Sequence, residues 1–196
     1  MEIQKITKVN EEIIEQISKI HLKVLEESFL NNFGIEFLNI IYKNLLESKN
    51  SIVLGSFERG KITGYLLAVI DYSKFLKVAV SKKLLYLTYL VIKTLIKNPK
   101  LAVKMITSIL KAGKEDSHPE LQFIAILPEE QGKNLGTKLI EELNREFLKI
   151  GIGEYFVGTK SSNELSNKFY LKLGFKLSHT KKYFGDDLNY YKSPSF

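Results

Sequence analysis

Residues Glu120 to Glu142 read ELQFIAILPEEQGKNLGTKLIEE. The stretch opens as an apolar run with β-branched and aromatic side chains, stops at Pro128, and resumes after two glycines with a helical period, so the predicted order is strand, turn, helix. A helix start carries backbone N–H groups without internal acceptors and the positive end of the macrodipole, which suits an anion. Gly132 and Gly136 would let a ligand approach the backbone closely. Many strand-to-helix turns carry glycine and bind nothing, so the stretch gains meaning only from the rest of the chain.

Toward the amino terminus, Ile3 to Lys8 alternates like a half-buried strand. Asn10 has the character of a helix N-cap, with Glu11 and Glu12 in the first turn, and the helical spacing fades near Ser28. A second helix follows the loop through Asn31, Asn32 and Gly34. SIVLGSFE and KITGYLLAVI, joined through Arg59-Gly60, predict a hairpin. The segment from Tyr72 onward is helical again; Asn98 as N-cap and Pro99 at the first helical position divide it into helices of roughly Lys74 to Lys97 and Pro99 to Lys111, the second closed by Gly113. Beyond the central stretch come a strand from Glu154 to Lys160, a helix from Asn163 to Leu173, and strands Phe175 to Phe184 and Leu188 to Lys192. The order is β-α-α-β-β, helical insert, β-α-β-α-β-β, an α/β or α+β layered fold in one domain, 1–196, with the insert at 72–118.

With 196 residues, 44% of them hydrophobic, the chain can fill one core. It has no cysteine, which excludes disulfides, thiolate zinc sites and a cysteine nucleophile. The three histidines are scattered, so no metal site is expected. The first residues, MEIQKITKVNEE, contain no apolar signal run, and the expectation is a cytoplasmic protein. The charge of +7 is localised: ten lysines and no acidic residue lie between Tyr72 and Lys114, leaving 19 basic against 22 acidic residues elsewhere.

Two separated segments combine into a sharper signal. QGKNLG (Gln131 to Gly136) is followed about thirty residues later by NELSNKFYLKLGF (Asn163 to Phe175), and together they resemble the Gcn5-related N-acetyltransferase superfamily. Asn163, Ser166, Phe169, Tyr170, Gly174 and Phe175 occupy every position of that family's second motif, whereas Asn134 stands where the first motif usually has glycine. The resemblance implies a mixed, mostly antiparallel central sheet flanked by helices, with the two-helix basic insert between strands 3 and 4. It also implies acetyl-coenzyme A as donor, held by backbone around Gln131, Gly132, Lys133, Asn134, Leu135, Gly136 and Thr137 and by Asn163 and Ser166. Asn134 fits physically, because asparagine tolerates positive φ better than other non-glycine residues, although its side chain would crowd a phosphate.

On a helix, Leu165, Phe169 and Leu173 should face the core, with Asn163, Ser166 and Tyr170 on an adjacent polar stripe. The family's matching tyrosine suggests Tyr170 as the acid for the departing thiolate. An ammonium has no lone pair, so a base is required; Glu120 has a spacing similar to the base of histone-acetylating relatives, and burial would raise its pKa. His118 is a weaker candidate. Backbone N–H at Ile126 or Leu127 would polarise the thioester carbonyl. By the same analogy the acceptor borders Glu26, Glu27, Phe29 and Asn31; the aromatic tail of Tyr183, Tyr190 and Tyr191 either walls the same cleft or simply packs.

The expected function is acetyl transfer to a primary amine of a small molecule, such as an amino sugar or a nucleotide-linked amine. Alternatives are acetylation of a protein or RNA-linked amine, and a non-catalytic acyl-coenzyme A sensor or peripheral membrane module. Leu84 to Ile92 is too short an apolar run to span a bilayer. The favoured reading of the insert is a lid that packs one face on the sheet and solvates its lysines, with a membrane surface, another anionic partner or a homodimer left open and nucleic acid disfavoured.

Overall fold

Alternating apolar side chains generate strands that can bury one or both faces, and here they pair into one seven-stranded sheet. The computed structural model describes residues 1–103, 117–183 and 185–196. The strands are β1 (Glu2–Lys5), β2 (Ser51–Glu58), β3 (Lys61–Val69), β4 (Glu120–Ile126), β5 (Phe156–Lys160), β6 (Lys176–Tyr183) and β7 (Asp186–Lys192), in the order β1-β2-β3-β4-β5-β7-β6. All neighbours are antiparallel except β4 and β5, so the sheet is mixed and mostly antiparallel as expected.

Helices α1 (Glu11–Val24) and α2 (Gly34–Leu46) bury Ile14, Ile17, Leu38 and Leu45 against Val53, Tyr65 and Leu67 on one face. The other face carries α5 (Leu135–Leu148) and α6 (Glu164–Lys172), where Leu139, Leu143, Phe147 and Tyr170 meet Leu54, Leu66 and Leu121. Asn10 caps α1 as predicted, accepting the Ile13 N–H at 2.8 Å.

The insert departs from its predicted form. The first helix is broken into a 3-10 turn at Tyr72–Lys74, α3 (Phe75–Ala79) and α4 (Leu84–Lys97), with Lys83 in left-handed conformation at the break. Carbonyls freed at the end of α3 find a donor on another helix: Asn44 Nδ2 of α2 donates to the Ala79 carbonyl at 2.7 Å. The second helix does open at Pro99, with Asn98 accepting the Leu101 N–H at 3.2 Å, and its described part is 99–103. The predicted remainder through Lys111 and Gly113, like Phe184 at the end of the sixth predicted strand, lies outside the described residues. Leu87 and Leu90 of α4 are buried, and α4 packs on α2 and the Phe29–Phe33 turn.

A polar network sits inside the first core. His21 is fully buried; its Nδ1 lies 2.5 Å from the Tyr42 hydroxyl and 3.0 Å from that of Tyr65, while Nε2 lies 2.8 Å from Ser28 Oγ. The two tyrosine oxygens are 2.5 Å apart. A neutral ring with its proton on Nε2 satisfies these contacts, since Nε2–H donates to Ser28 and Nδ1 accepts a tyrosine O–H. Burial pulls the His21 pKa from 6.5 down to about 4.

The unfolded chain therefore binds a proton that the folded chain refuses between those two values, and stability is complete above pH 6.5 and lost as pH falls toward 4. Urea denaturation is expected to register a His21 contribution on the order of 3 kcal/mol disappearing across that window. In His21→Gln the stability difference between neutral and mildly acid pH should shrink correspondingly; an unchanged pH slope would contradict the assignment.

Candidate active site

The site begins where two neighbouring strands part. β4 and β5 pair only at Glu120↔Phe156 and Leu121↔Val157, after which β4 follows β3 and β5 follows β7. Leu127 N–H donates to the Thr63 carbonyl of β3 at 3.0 Å. Antiparallel hydrogen bonding alternates along a strand, so the N–H groups of Ile124 and Ile126 point the other way, into the gap. Of the two predicted carbonyl-polarising amides, Leu127 is thus engaged in the ladder and Ile126 faces the opening.

A β-bulge reorients the start of β4. The β3 register jumps between Leu67↔Phe123 and Ala68↔Leu121, leaving Gln122 as the extra residue. As a result Phe123 and Ala125 belong to the α1–α2 core while Leu121 belongs to the α5–α6 core. Simple alternation from Phe123 would send Glu120 to the α5–α6 side; the bulge brings it to the opposite side.

There a cleft of about 530 Å³ lies between the end of α1 and the parted strands, lined by Glu26, Glu27, Phe29, Glu120, Gln122 and Tyr190 among others. Glu120 is 5% exposed, and its Oε2 lies 2.9 Å from His118 Nε2. His118 stacks on Tyr72 and meets Phe156 edge-on, so its ring is held. The Gln122 side-chain nitrogen is buried with no acceptor among the described residues, a donor the sequence reading missed. Of the predicted acceptor residues, Glu27 is paired with Lys160 at 2.9 Å, whereas Glu26 has no cation partner among the described residues. Burial lowers the Lys160 pKa, but the hydrogen bonds it donates to Glu27 and Asp186 outweigh it and the net shift is upward. Asn31 does not line the cleft; its amide donates to the Leu25 carbonyl at 2.8 Å and braces the loop. Tyr183 and Tyr190 line the cleft, but Tyr191 faces the other side and donates to Asn167 Oδ1 at 2.7 Å.

The turn after β4 contains a 3-10 segment, Pro128–Glu130, then Gly132 at φ +78° and Asn134 at φ +61°. Asn134 thus takes the left-handed conformation. Backbone N–H groups from Gly132 to Thr137 have no acceptor among the described residues. Thr137 is half-buried in the first turn of α5 and Leu135 is buried, anchoring the helix start. Lys133 is engaged with the buried carboxylate of Glu130 at 2.7 Å, so it is not a free cation over the turn. Gln131 closes the turn, donating to the Ile126 carbonyl at 3.1 Å. A side chain added at Gly136 would meet the Phe169 ring at 3.1 Å, so Gly136 serves the packing of α5 on α6.

On α6 the expected core stripe is only partly right: Leu165 is 83% exposed, and the best-buried side chain is Tyr170. Asn163 caps the helix, its Oδ1 accepting the Ser166 N–H at 3.0 Å, and Leu165 lies in the first turn with its side chain in solvent. Ser166 is half-buried, and Asn163 also lines the cleft. Tyr170 packs among Phe169, Phe175 and Tyr191, in the same cluster as Leu121 and Val157 at the point of parting. Burial pushes its hydroxyl pKa well above the ordinary tyrosine value, and that hydroxyl has no partner among the described residues.

Residues 17–175 match the Acetyltransferase (GNAT) family model. No curated protein matches the chain. Among solved structures, an N-acetyltransferase from Staphylococcus aureus Mu50 is 13% identical with a TM-score of 0.63, covering 98% of this chain and 100% of its own. An aminoglycoside 6'-N-acetyltransferase complexed with coenzyme A is 14% identical, TM-score 0.62, over 98% and 96%. The ribosomal-protein-S18-alanine N-acetyltransferase from Escherichia coli is 14% identical, TM-score 0.58, over 99% and 93%. At these identities the likeness is one of fold. The family match spans most of the length, and the chain belongs to the GNAT family of acetyltransferases, which use acetyl-coenzyme A to acetylate amines.

Proposed function

We propose that this chain acetylates a primary amine of a small molecule, by direct attack in the cleft beside β4. The observation carrying this reading is the buried Glu120 carboxylate, turned by the Gln122 bulge into a cleft of small-molecule size at the mouth of the strand gap. The residues fit the donor: the N–H groups of Gly132 to Thr137 would receive its pyrophosphate, and the free edge of β4 would receive its amide-bearing arm. When bound, acetyl-coenzyme A supplies a thioester carbonyl carbon open to a neutral amine.

Glu120, directly or through water, takes the proton of the incoming ammonium and so exposes the attacking lone pair. Glu26 at the rim draws the cationic acceptor in. The Ile126 N–H donates toward the carbonyl oxygen, where negative charge develops. As the carbon–sulfur bond breaks, Tyr170, kept protonated by burial, gives its hydroxyl proton to the departing sulfur from the opposite face, and the second amine proton, released as the amide forms, restores the tyrosine. Acid and base thus reach the gap from different sides of the sheet. An amino sugar or a nucleotide-linked amine fits the class. The left-handed Asn134 supports an intact phosphate turn, and with it turnover rather than a sensor that has lost catalysis.

Thiol release with a panel of primary amines tests the assignment. Glu120→Gln and Tyr170→Phe should each lower kcat by roughly 100-fold or more while coenzyme A affinity changes little. Unchanged kcat in either variant removes that residue from the mechanism. At the turn, Asn134→Gly should leave stability within about 0.5 kcal/mol and preserve coenzyme A binding, whereas Asn134→Ala should lose on the order of 1 kcal/mol in thermal or urea denaturation. Equal stability of the two would contradict the left-handed assignment.

A further inference from the structure

Helix α4 is apolar on two opposite faces. Leu87 and Leu90 point inward and are 2% and 6% exposed. Leu85, Tyr89, Ile92 and Ile96 recur at i, i+4, i+7 and i+11, which places them on one stripe. That stripe faces solvent: Leu85 is 89% exposed, Tyr89 54%, Ile92 51% and Ile96 77%. A contiguous exposed aliphatic stripe on a soluble domain marks an interaction surface.

The charges around it identify the partner. Lys77, Lys83, Lys93, Lys97 and Lys100 are exposed and have no carboxylate partner among the described residues. Lys93 extends over the Tyr89 ring at 5.8 Å from its centroid. At the border, Lys82 is paired with Glu47, and the Tyr86 hydroxyl donates to Glu36. A second copy of this face would set lysines against lysines, a like-charge juxtaposition that disfavours pairing. A nucleic acid would engage the lysines but leave Leu85 and Ile96 in water. An anionic bilayer satisfies both components, with the stripe entering the boundary of headgroups and acyl chains and the lysines meeting lipid phosphates. Tyrosines beside the stripe suit the same interfacial depth.

We propose that the α4 stripe docks this protein on an anionic membrane surface. The helix lies in the interface, and no described helix is long and apolar enough to cross. Since α4 packs on the Phe29–Phe33 turn, and Phe29 and Leu30 line the cleft, docking sets the acceptor wall close to the headgroups. The surface is distinct from the catalytic cleft, and its test reads binding alone.

Full-length protein is sedimented with vesicles of phosphatidylcholine alone and with vesicles containing about 30 mol% phosphatidylglycerol. Partitioning should be at least about tenfold stronger on the anionic vesicles and should weaken severalfold between about 0.1 M and 0.5 M salt. Leu85→Glu/Ile96→Glu should lower it roughly tenfold or more, and Lys93→Glu/Lys97→Glu should lower it while leaving coenzyme A binding unchanged. The thermal midpoint and coenzyme A affinity of each variant report that the fold is kept. Absence of binding to anionic vesicles, equal binding to neutral ones, or full binding by the aliphatic variant overturns the proposal. A dimer that Leu85→Glu/Ile96→Glu dissociates, in protein that ignores vesicles, assigns the stripe to a second copy instead. Binding to a single-stranded RNA homopolymer without vesicle binding assigns the lysines to nucleic acid.

Discussion

The parting of β4 from β5 is the constraint on which the site depends. Inside a sheet, a strand's two edges are satisfied by its two neighbours, and a strand that loses one neighbour exposes donors and acceptors that must find another partner. Here the pairing ends after Leu121↔Val157, beyond which β4 continues beside β3 alone and β5 beside β7 alone. The Gln131 side chain takes up one of the freed groups, the Ile126 carbonyl. The amides of Ile124 and Ile126 stay available at the centre of the protein, next to a turn whose own N–H groups lack acceptors among the described residues. A strand edge and a helix start that are both unsatisfied, and adjacent, form a continuous polar track for a long ligand with an anionic end.

The rest of the structure serves that opening from both sides. On one side, the bulge at Gln122 turns Glu120 into the cleft, and the buried His21 network fixes the loop through Ser28, so this wall of the cleft is tied to two core tyrosines. On the other, Gly136 lets Phe169 pack tightly against the start of α5, which sets α6 and places Tyr170 near the point of parting. The two sequence motifs are therefore mechanically one unit. Their joint presence carries more information than either alone for this reason.

Much of this was legible in the sequence, and the parts that were not share a cause. Strand β4 begins at Glu120 as read, Asn10, Asn98 and Asn163 cap helices as their local sequence demands, and Asn134 adopts the positive φ that its residue type tolerates. These are local effects, determined within a few residues. The break between α3 and α4 was hidden because Asn44, far away in sequence, takes up the Ala79 carbonyl. Leu165 was misplaced because helical spacing gives a stripe but not where the sheet ends beneath it. Lys133 and Glu27 are engaged by Glu130 and Lys160, and the Glu27 partner lies 133 residues away where no local pattern reveals it. The β-bulge at Gln122, on which the direction of Glu120 depends, has no signature in a single strand, since it is a property of register with β3.

Backbone amide resonances followed during titration with coenzyme A report each N–H in the parted strand and the turn. Saturable shifts are expected at Ile124, Ile126 and Gly132 to Thr137, with little change along β6 at the far edge. Absence of shifts, or shifts clustered away from the β4–β5 gap, would contradict a donor site there.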